Sequence, residues 1–598
     1  MAFYVQQWVN NLPEGATLIF LSTLGLLMVG WVSAIVLTAR TKWLALLTFF
    51  PLTHPLAMVA MVLKQGSASL IPIGSYILAA VIWFSGSQRL YNQETKQLED
   101  YQLQLKQAGE PLELENFQQV SDDPDQNVWD HPYLKLLATA SKTGSEGEQA
   151  RKEMGQRYVP LELPRTRLRI QVDKGPDPEK SGLYNPNESM LSNAIHLLQP
   201  KDEFEPVEGV EYPTDRQNVL DTLKPLIDGM QEDLEQLSQA LGREENIYPH
   251  QWEAGFGMLL PQLSKLKQFS QATSLATLYH VWNRDPKAAL QTAQLGLRTA
   301  EVRDSALLIS CLVQIAQVSI TLGSIDEARQ HHIWQDEDWL QISKQLDSYS
   351  MIELMDESLR TERAIGHATM RPMLDRPPME AMRYLRQLGQ QDVWGVSLAE
   401  ASWMERAANL IAGRFAQAFL ARQWRLCLMG YETMIKDLEK AANASQNDPW
   451  KEVLVSWDHL SFKTDYGVLG GMLLPALDKA QAKAVRSQLE IELAKIAVDL
   501  ERHFLEHGVY PESLENLVPQ WAQTTPLDPM TRQPLHYRSL SEGKGFELYS
   551  VGLNGEDDQG RRATKSPRDG SRQADDLLIR VLPEMAPLPK YTLGTSKS

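Results

Sequence analysis

The chain has 598 residues, too many for one hydrophobic core, so several structural units are expected. Its formal charge of −18, with 76 acidic against 58 basic side chains, excludes a nucleic-acid groove or a broad contact with anionic lipid, because both need clustered Lys and Arg. The two cysteines, Cys311 in LLISCLVQIA and Cys427 in RLCLMG, exclude a disulfide framework and read as buried, inert thiols.

Residues 1–90 read as a membrane domain. The run from Thr17 to Leu37, TLIFLSTLGLLMVGWVSAIVL, carries no charge and as a helix spans the roughly 30 Å hydrocarbon layer. Further candidate spans follow at Trp43–Leu63, interrupted by Pro51, His54 and Pro55, and at Ser69–Gly86; prolines are tolerated in membrane helices whose neighbours satisfy the freed carbonyls. Trp8, Trp43 and Trp83 fall near span ends, where aromatic rings favour the interface. Met1 to Glu14 has no basic residue and the apolar run is too long for the core of a cleaved signal, so the segment is expected to be retained. Three spans with the N-terminus outside would put Arg40, Lys42, Arg89 and Lys96 on the inner face against Lys64 alone, and the charge rule then predicts a cytoplasmic soluble part.

Residues 91–213 are expected to hold a helix leaving the membrane, Gln93 to Gln107 with Leu98, Tyr101 and Leu105 at helical spacing, and then an irregular linker that wraps on other domains. Short helices are predicted around Pro132–Ser141 and Ser189–Leu198. Residues 214–480 are almost wholly helical in pattern. Asp285 caps a predicted helix with Pro286 in its first turn, and a second break at Gly323-Ser324-Ile325-Asp326 follows about forty residues later. That spacing suits stacked hairpins of tetratricopeptide type, with an irregular bundle as the alternative. Residues 481–585 change to α+β. A long amphipathic helix, Ala482 to Glu506, with Leu489, Leu493, Ile496, Leu500 and Phe504 on one stripe, is ended by Gly508, and strands are predicted at Leu535–Arg538, Phe546–Val551 and Leu577–Val581. Residues 586–598 form a tail.

The order of long helix, His507-Gly508-Val509-Tyr510-Pro511, Pro526-Leu527-Asp528-Pro529, Leu548-Tyr549-Ser550-Val551-Gly552 and Ala574-Asp575-Asp576-Leu577 resembles the globular end of the major pseudopilins of type II secretion systems. The likeness covers about a sixth of the chain. The helical region before it is similar to membrane-anchored proteins of unestablished function that join helical repeats to such a tail. The resemblance implies a calcium ion held by Leu553, Asn554, Asp557, Asp558, Asp575 and Asp576, with an ordinary solvated acidic loop as the alternative. Asn554 stands where the family generally has Asp, and Arg561, Arg562, Lys565, Arg568 and Arg572 crowd the intervening loop. Met1 to Gly15 does not match the basic leader and peptidase site with which pseudopilins begin, so processing as a filament subunit is not expected.

His503-Phe504-Leu505-Glu506-His507 fits H-x-x-E-H, a zinc-hydrolase pattern in which two imidazoles hold the metal and the glutamate polarises its water. The second histidine falls at the predicted helix end, where an imidazole also suits the C-terminal dipole. His331-His332 with Asp336, Glu337 and Asp338 offers a further acidic and imidazole cluster, but adjacent histidines point to different sides of a helix. The sequence therefore predicts a mainly α protein of a bacterial inner membrane, with transmembrane helices, an irregular linker, a helical domain and a small α+β end. The expected function is a membrane-anchored interaction or scaffold protein of an envelope or secretion-related assembly, in contact with the lipid bilayer and with protein partners through its helical domain. No nucleic acid is expected, and a membrane-bound zinc hydrolase is the alternative.

Overall fold

The fold is taken from a computed structural model that describes residues 16–38, 70–158, 216–302, 307–374, 376, 403–442, 450, 466–560 and 576–582. It is mainly helical, with one small three-stranded sheet. The second candidate span, Trp43–Leu63, lies outside the described residues.

Helix α1 (Ala16–Thr38) carries no charged residue. Helix α2 (Leu70–Gln107) fuses the third candidate span to the polar helix predicted after it. Between Gly86 and Gln107 no proline or glycine interrupts the hydrogen-bond ladder, and Leu98 and Leu105, seven residues apart, are both buried. Ile19 of α1 closes on Gly86, where a Cβ would stand 2.9 Å from Ile19 Cδ1, and Ala16 shares a small buried cluster with Leu90 and Ala418. Ala16 is thus level with Leu90 and Ile19 with Gly86, so α1 and α2 run antiparallel. Burial agrees: on the face of α2 that meets α1, Ala79 is buried, whereas Asp100 and Gln104 on the same line are exposed.

Another flank of α2 is covered by a long helix from the middle of the chain, Trp403–Ala442, and there Trp83 stacks on Phe415 with ring centroids 5.3 Å apart. Fully buried Glu94 lies 3.5 Å from both Arg422 and Arg425. The described part of the linker wraps on the helical domain as expected. Trp129, Tyr133, Leu134 and Leu137 are buried in the main core, around the short helix α3 (Lys135–Ala140) and before α4 (Gly144–Arg157). The helix expected at Ser189–Leu198 is outside the described residues.

Helices α5 (Arg216–Ala240), α6 (Pro261–Trp282), α7 (Pro286–Glu301), α8 (Leu308–Gln330), α9 (Asp336–Leu346) and α10 (Met351–Leu374) follow, and the long Trp403–Ala442 helix is α11. Asp285 caps α7 by accepting from the Ala288 N–H at 3.0 Å, with Pro286 at the first position. The break expected at Gly323 is absent: α8 continues through it to Gln330. Packing overrides the roughly 1 kcal/mol that an interior glycine costs. Ser324 is buried and bonds the Thr321 carbonyl at 2.8 Å, and Asp326 pairs with Arg329 within the helix.

By length and composition α8 is also apolar enough to cross a membrane. Half of that stretch is buried inside the fold, against α6, α7, α10 and the C-terminal long helix, and its Gln317 donates to the carbonyls of Leu266 and Thr299 and to the Ser270 hydroxyl. Those polar groups belong to a protein core and not to lipid. The shorter apolar stretch Leu18–Val29 lies within α1.

The C-terminal long helix, α12 (Gly467–His507), starts fifteen residues before its predicted beginning and runs unbroken through residues 480 and 481, where the sequence changes character. It ends as predicted: Gly508 is left-handed at φ 74° and its N–H bonds the Phe504 carbonyl. Strands β1 (His536–Leu540), β2 (Gly545–Ser550) and β3 (Leu577–Val581) form an antiparallel sheet in that order, with Phe546 opposite Ser539 and Val581. Gln330 at the end of α8 clamps the sheet to the helical domain: its Nε2 donates to the Arg580 carbonyl at 2.5 Å, and its Oε1 accepts from the Leu582 N–H at 3.2 Å.

Candidate functional site: the acidic loop after β2

The chain leaves β2 into a turn-rich loop in which Gly552, Gly555 and Gly560 all have positive φ, a conformation that a side chain would oppose. The loop is anchored from below by Asp528, fully buried, which accepts from the Met530 and Val551 N–H groups at 2.9 Å and from the Ser550 hydroxyl at 3.0 Å. Asn554 donates to Asp558 Oδ2 at 2.8 Å and accepts from the Glu556 N–H at 3.0 Å, so the residue that departs from the pseudopilin pattern is built into the loop as an internal bridge. Asp557 faces the sheet, accepting from the Gln559 N–H at 2.8 Å and from the Tyr549 hydroxyl at 3.2 Å. Asp576, fully buried just before β3, accepts from the Gly560 N–H at 2.7 Å through Oδ2, with the Asp558 N–H also close to its carboxyl, while its Oδ1 is buried and lacks a well-formed hydrogen bond among the described residues.

The structure thus brings Leu553, Asn554, Asp557, Asp558 and Asp576 into one loop system; Asp575 and the basic stretch 561–575 lie outside the described residues. Among the described residues no group of three or more His, Cys, Asp or Glu side chains converges tightly enough for a metal. The loop nevertheless suits a hard cation in chemistry, because its donors are oxygens and one buried carboxylate oxygen lacks a well-formed partner among the described residues. Burial, with Asp558 and Asp557 nearby, pushes the Asp576 carboxyl up to about 6. Its ordinary value is 3.8. The folded chain therefore binds a proton between roughly pH 4 and 6 that the unfolded chain does not. Without a cation, stability is greatest at the acid side of that window and falls by about 1–3 kcal/mol as pH rises through it. Asp576→Asn is expected to remove this slope in thermal unfolding scans; an unchanged slope would assign it to another group.

The H-x-x-E-H residues sit at the end of α12. The His503 and His507 rings stack with centroids 4.3 Å apart and both pack on Trp521. His503 Nδ1 is 3.0 Å from the Val509 carbonyl, which fixes its proton there, and Glu506 accepts from Gln520 at 2.7 Å. These contacts close the helix end and hold the next loop.

His331 and His332 are parted as expected, His331 onto Glu327 at 3.2 Å and His332 onto Glu501 at 2.6 Å. Asp336 pairs with Arg502, and Asp338 completes a capping box with Gln335. Sequence reasoning missed Glu501. It is fully buried on α12 and also accepts from the Tyr510 hydroxyl at 2.6 Å, joining the helical domain to the tail. Burial and the Glu501 carboxylate push the Tyr510 hydroxyl far up, so it remains a donor. The sequence signal was a lone glutamate on an apolar helical stripe, which local pattern does not distinguish from an exposed one.

No protein-family model, curated protein or solved structure matches this chain.

Proposed function

We propose that the chain is a membrane-anchored scaffold of an envelope or secretion-related assembly. In this reading α1 and the first half of α2 lie in the bilayer, the helical domain offers a tetratricopeptide-like protein-binding stack, and the pseudopilin-like end is a calcium-stabilised module fixed to it. The observation that carries the reading is the two-faced character of α2. Its N-terminal half leaves Ile77, Leu78, Val81 and Phe84 exposed, and α1, packed against it, exposes Leu18, Phe20, Leu21, Leu24, Leu27 and Met28, a density of exposed large apolar side chains that marks an interaction surface such as one facing lipid. The same helix then continues into the protein core through Leu98 and Leu105. A rigid helix shared by lipid and core transmits the position of the bilayer to the whole soluble part.

The cation in this reading is held by oxygens of Leu553, Asn554, Asp557, Asp558, Asp575 and Asp576, and it would supply a partner for Asp576 Oδ1, which lacks a well-formed one among the described residues. No observation favours hydrolysis at His503, Glu506 and His507. Anchoring is tested by washing membranes that contain the full chain with alkaline carbonate. The chain is expected to stay with the membrane pellet; its release into the supernatant would show that the apolar pair only rests on a surface and would overturn the reading.

A further inference from the structure

We propose that α1 and α2 cross the bilayer as an antiparallel pair, two crossings in all. Residues 39–69 then lie on the cytoplasmic face, and the N-terminal flank and the whole soluble part lie outside, so the partners of the scaffold are extracytoplasmic proteins. This rests on the membrane reading above and adds to it the number of crossings, the side and the class of partner.

The argument begins with the helix pair. Ala16 stands level with Leu90 and Ile19 level with Gly86, and α1 runs from there toward the start of α2 at Leu70. The overlap is about twenty residues, or roughly 30 Å of helix, the thickness of the hydrocarbon layer. Three crossings would require the first and third spans to run parallel, and these run antiparallel. Thr38 and Leu70 therefore open on the same face of the bilayer. Two extra crossings between them would need about 40 apolar residues and a turn, more than the segment 39–69 contains. By length the segment cannot supply both.

Sidedness follows from charge. Residues 39–69 carry Arg40, Lys42 and Lys64 with no Asp or Glu, whereas the fifteen residues before α1 contain no Lys or Arg. The first helix usually sets orientation, and its basic flank is the one retained in the cytoplasm. In a three-crossing chain Arg89 and Lys96 share a side with Arg40 and Lys42; in the antiparallel pair they are opposite, and the predicted cytoplasmic soluble part becomes an external one.

The two natural cysteines, Cys311 and Cys427, are both buried, so single introduced cysteines can report accessibility in the full chain with low background. Gln7→Cys, Thr41→Cys and Ser598→Cys variants are treated in intact cells with a maleimide that does not cross membranes. Gln7→Cys and Ser598→Cys are expected to label in intact cells, and Thr41→Cys only after permeabilisation. Labelling of Gln7→Cys with protection of Ser598→Cys would show an odd number of crossings and overturn the pair. Protection of both with labelling of Thr41→Cys would overturn the side. Carbonate release of the same variants would instead defeat the anchoring on which the proposal rests, whatever the labelling pattern.

Discussion

Arg363→Met is expected to lower the stability of the helical domain by about 3–5 kcal/mol, because it removes the centre of a buried ion network and leaves Glu110 with Arg360 alone and Glu432 with the exposed Lys436 alone. The Arg363 side chain is fully buried on α10. It reaches Glu110, just after α2, at 2.5 Å, Glu432 on α11 at 3.2 Å, and the Pro111 carbonyl at 3.2 Å. Arg360, one turn earlier, binds Glu110 and also Asp356 and Glu439. Burial works against the charged form of Glu110, yet hydrogen bonds from Arg360 and Arg363 hold its carboxyl below the ordinary range. Burial pushes the Asp356 carboxyl up even with Arg360 beside it. For a domain of this size the loss corresponds to a fall of roughly 6–20 °C in melting midpoint, measured by far-ultraviolet circular dichroism of the detergent-solubilised chain. Arg363→Met combined with Glu432→Gln is expected to recover part of the loss, since the mostly buried carboxylate left with only the exposed Lys436 goes with it. A shift of less than about 1 kcal/mol in the single variant would mean that water reaches the network and screens it.

Glu94→Leu is the second large effect, about 2–4 kcal/mol, and it acts where the apolar helix pair meets α11. Glu94 is fully buried, whereas the side chains of Arg422 and Arg425 retain 23% and 18% of their exposure. The arginines can turn partly toward water when the carboxylate is lost, which is why the cost is set below that of Arg363. The expected signature is spatial. Limited proteolysis should open the α2–α11 contact around Glu94 and Arg422 while the β-sheet end stays resistant. Glu94→Leu with Arg425→Leu should regain stability, because the site then becomes an apolar helix contact continuous with Leu90 and Ala418. Equal proteolytic loss across the sheet would indicate that α2 is part of one cooperative unit with the tail.

The sequence by itself determined the helices with strong local signals. Asp285 with Pro286 marks the start of α7, Gly508 ends α12, and short runs of strand-forming residues between turn-rich loops place the three strands within one or two residues. These features are local: a cap, a left-handed glycine and a short strand-forming run between turns are satisfied by neighbours in the chain. The acidic loop came from the pseudopilin resemblance, which joined residues close in sequence after β2 to the acidic pair before β3; of that pair the described residues include Asp576.

Tertiary structure decided what local pattern leaves open. Gly323 reads as a break, but burial of Ser324 and the Asp326–Arg329 pair keep α8 whole. The third candidate span and the polar helix after it read as two elements, but Leu98 and Leu105 have a core to enter, and α2 continues unbroken from the apolar stretch into the polar one. Glu94, Arg363 and Glu501 look like surface charges until helices distant in sequence close over them. Most decisive is the direction of α1 against α2. An apolar helix carries no signal for whether its neighbour runs parallel or antiparallel, because dispersion and small-residue packing are indifferent to chain direction, and only the meeting of Ile19 with Gly86 and of Ala16 with Leu90 fixes it.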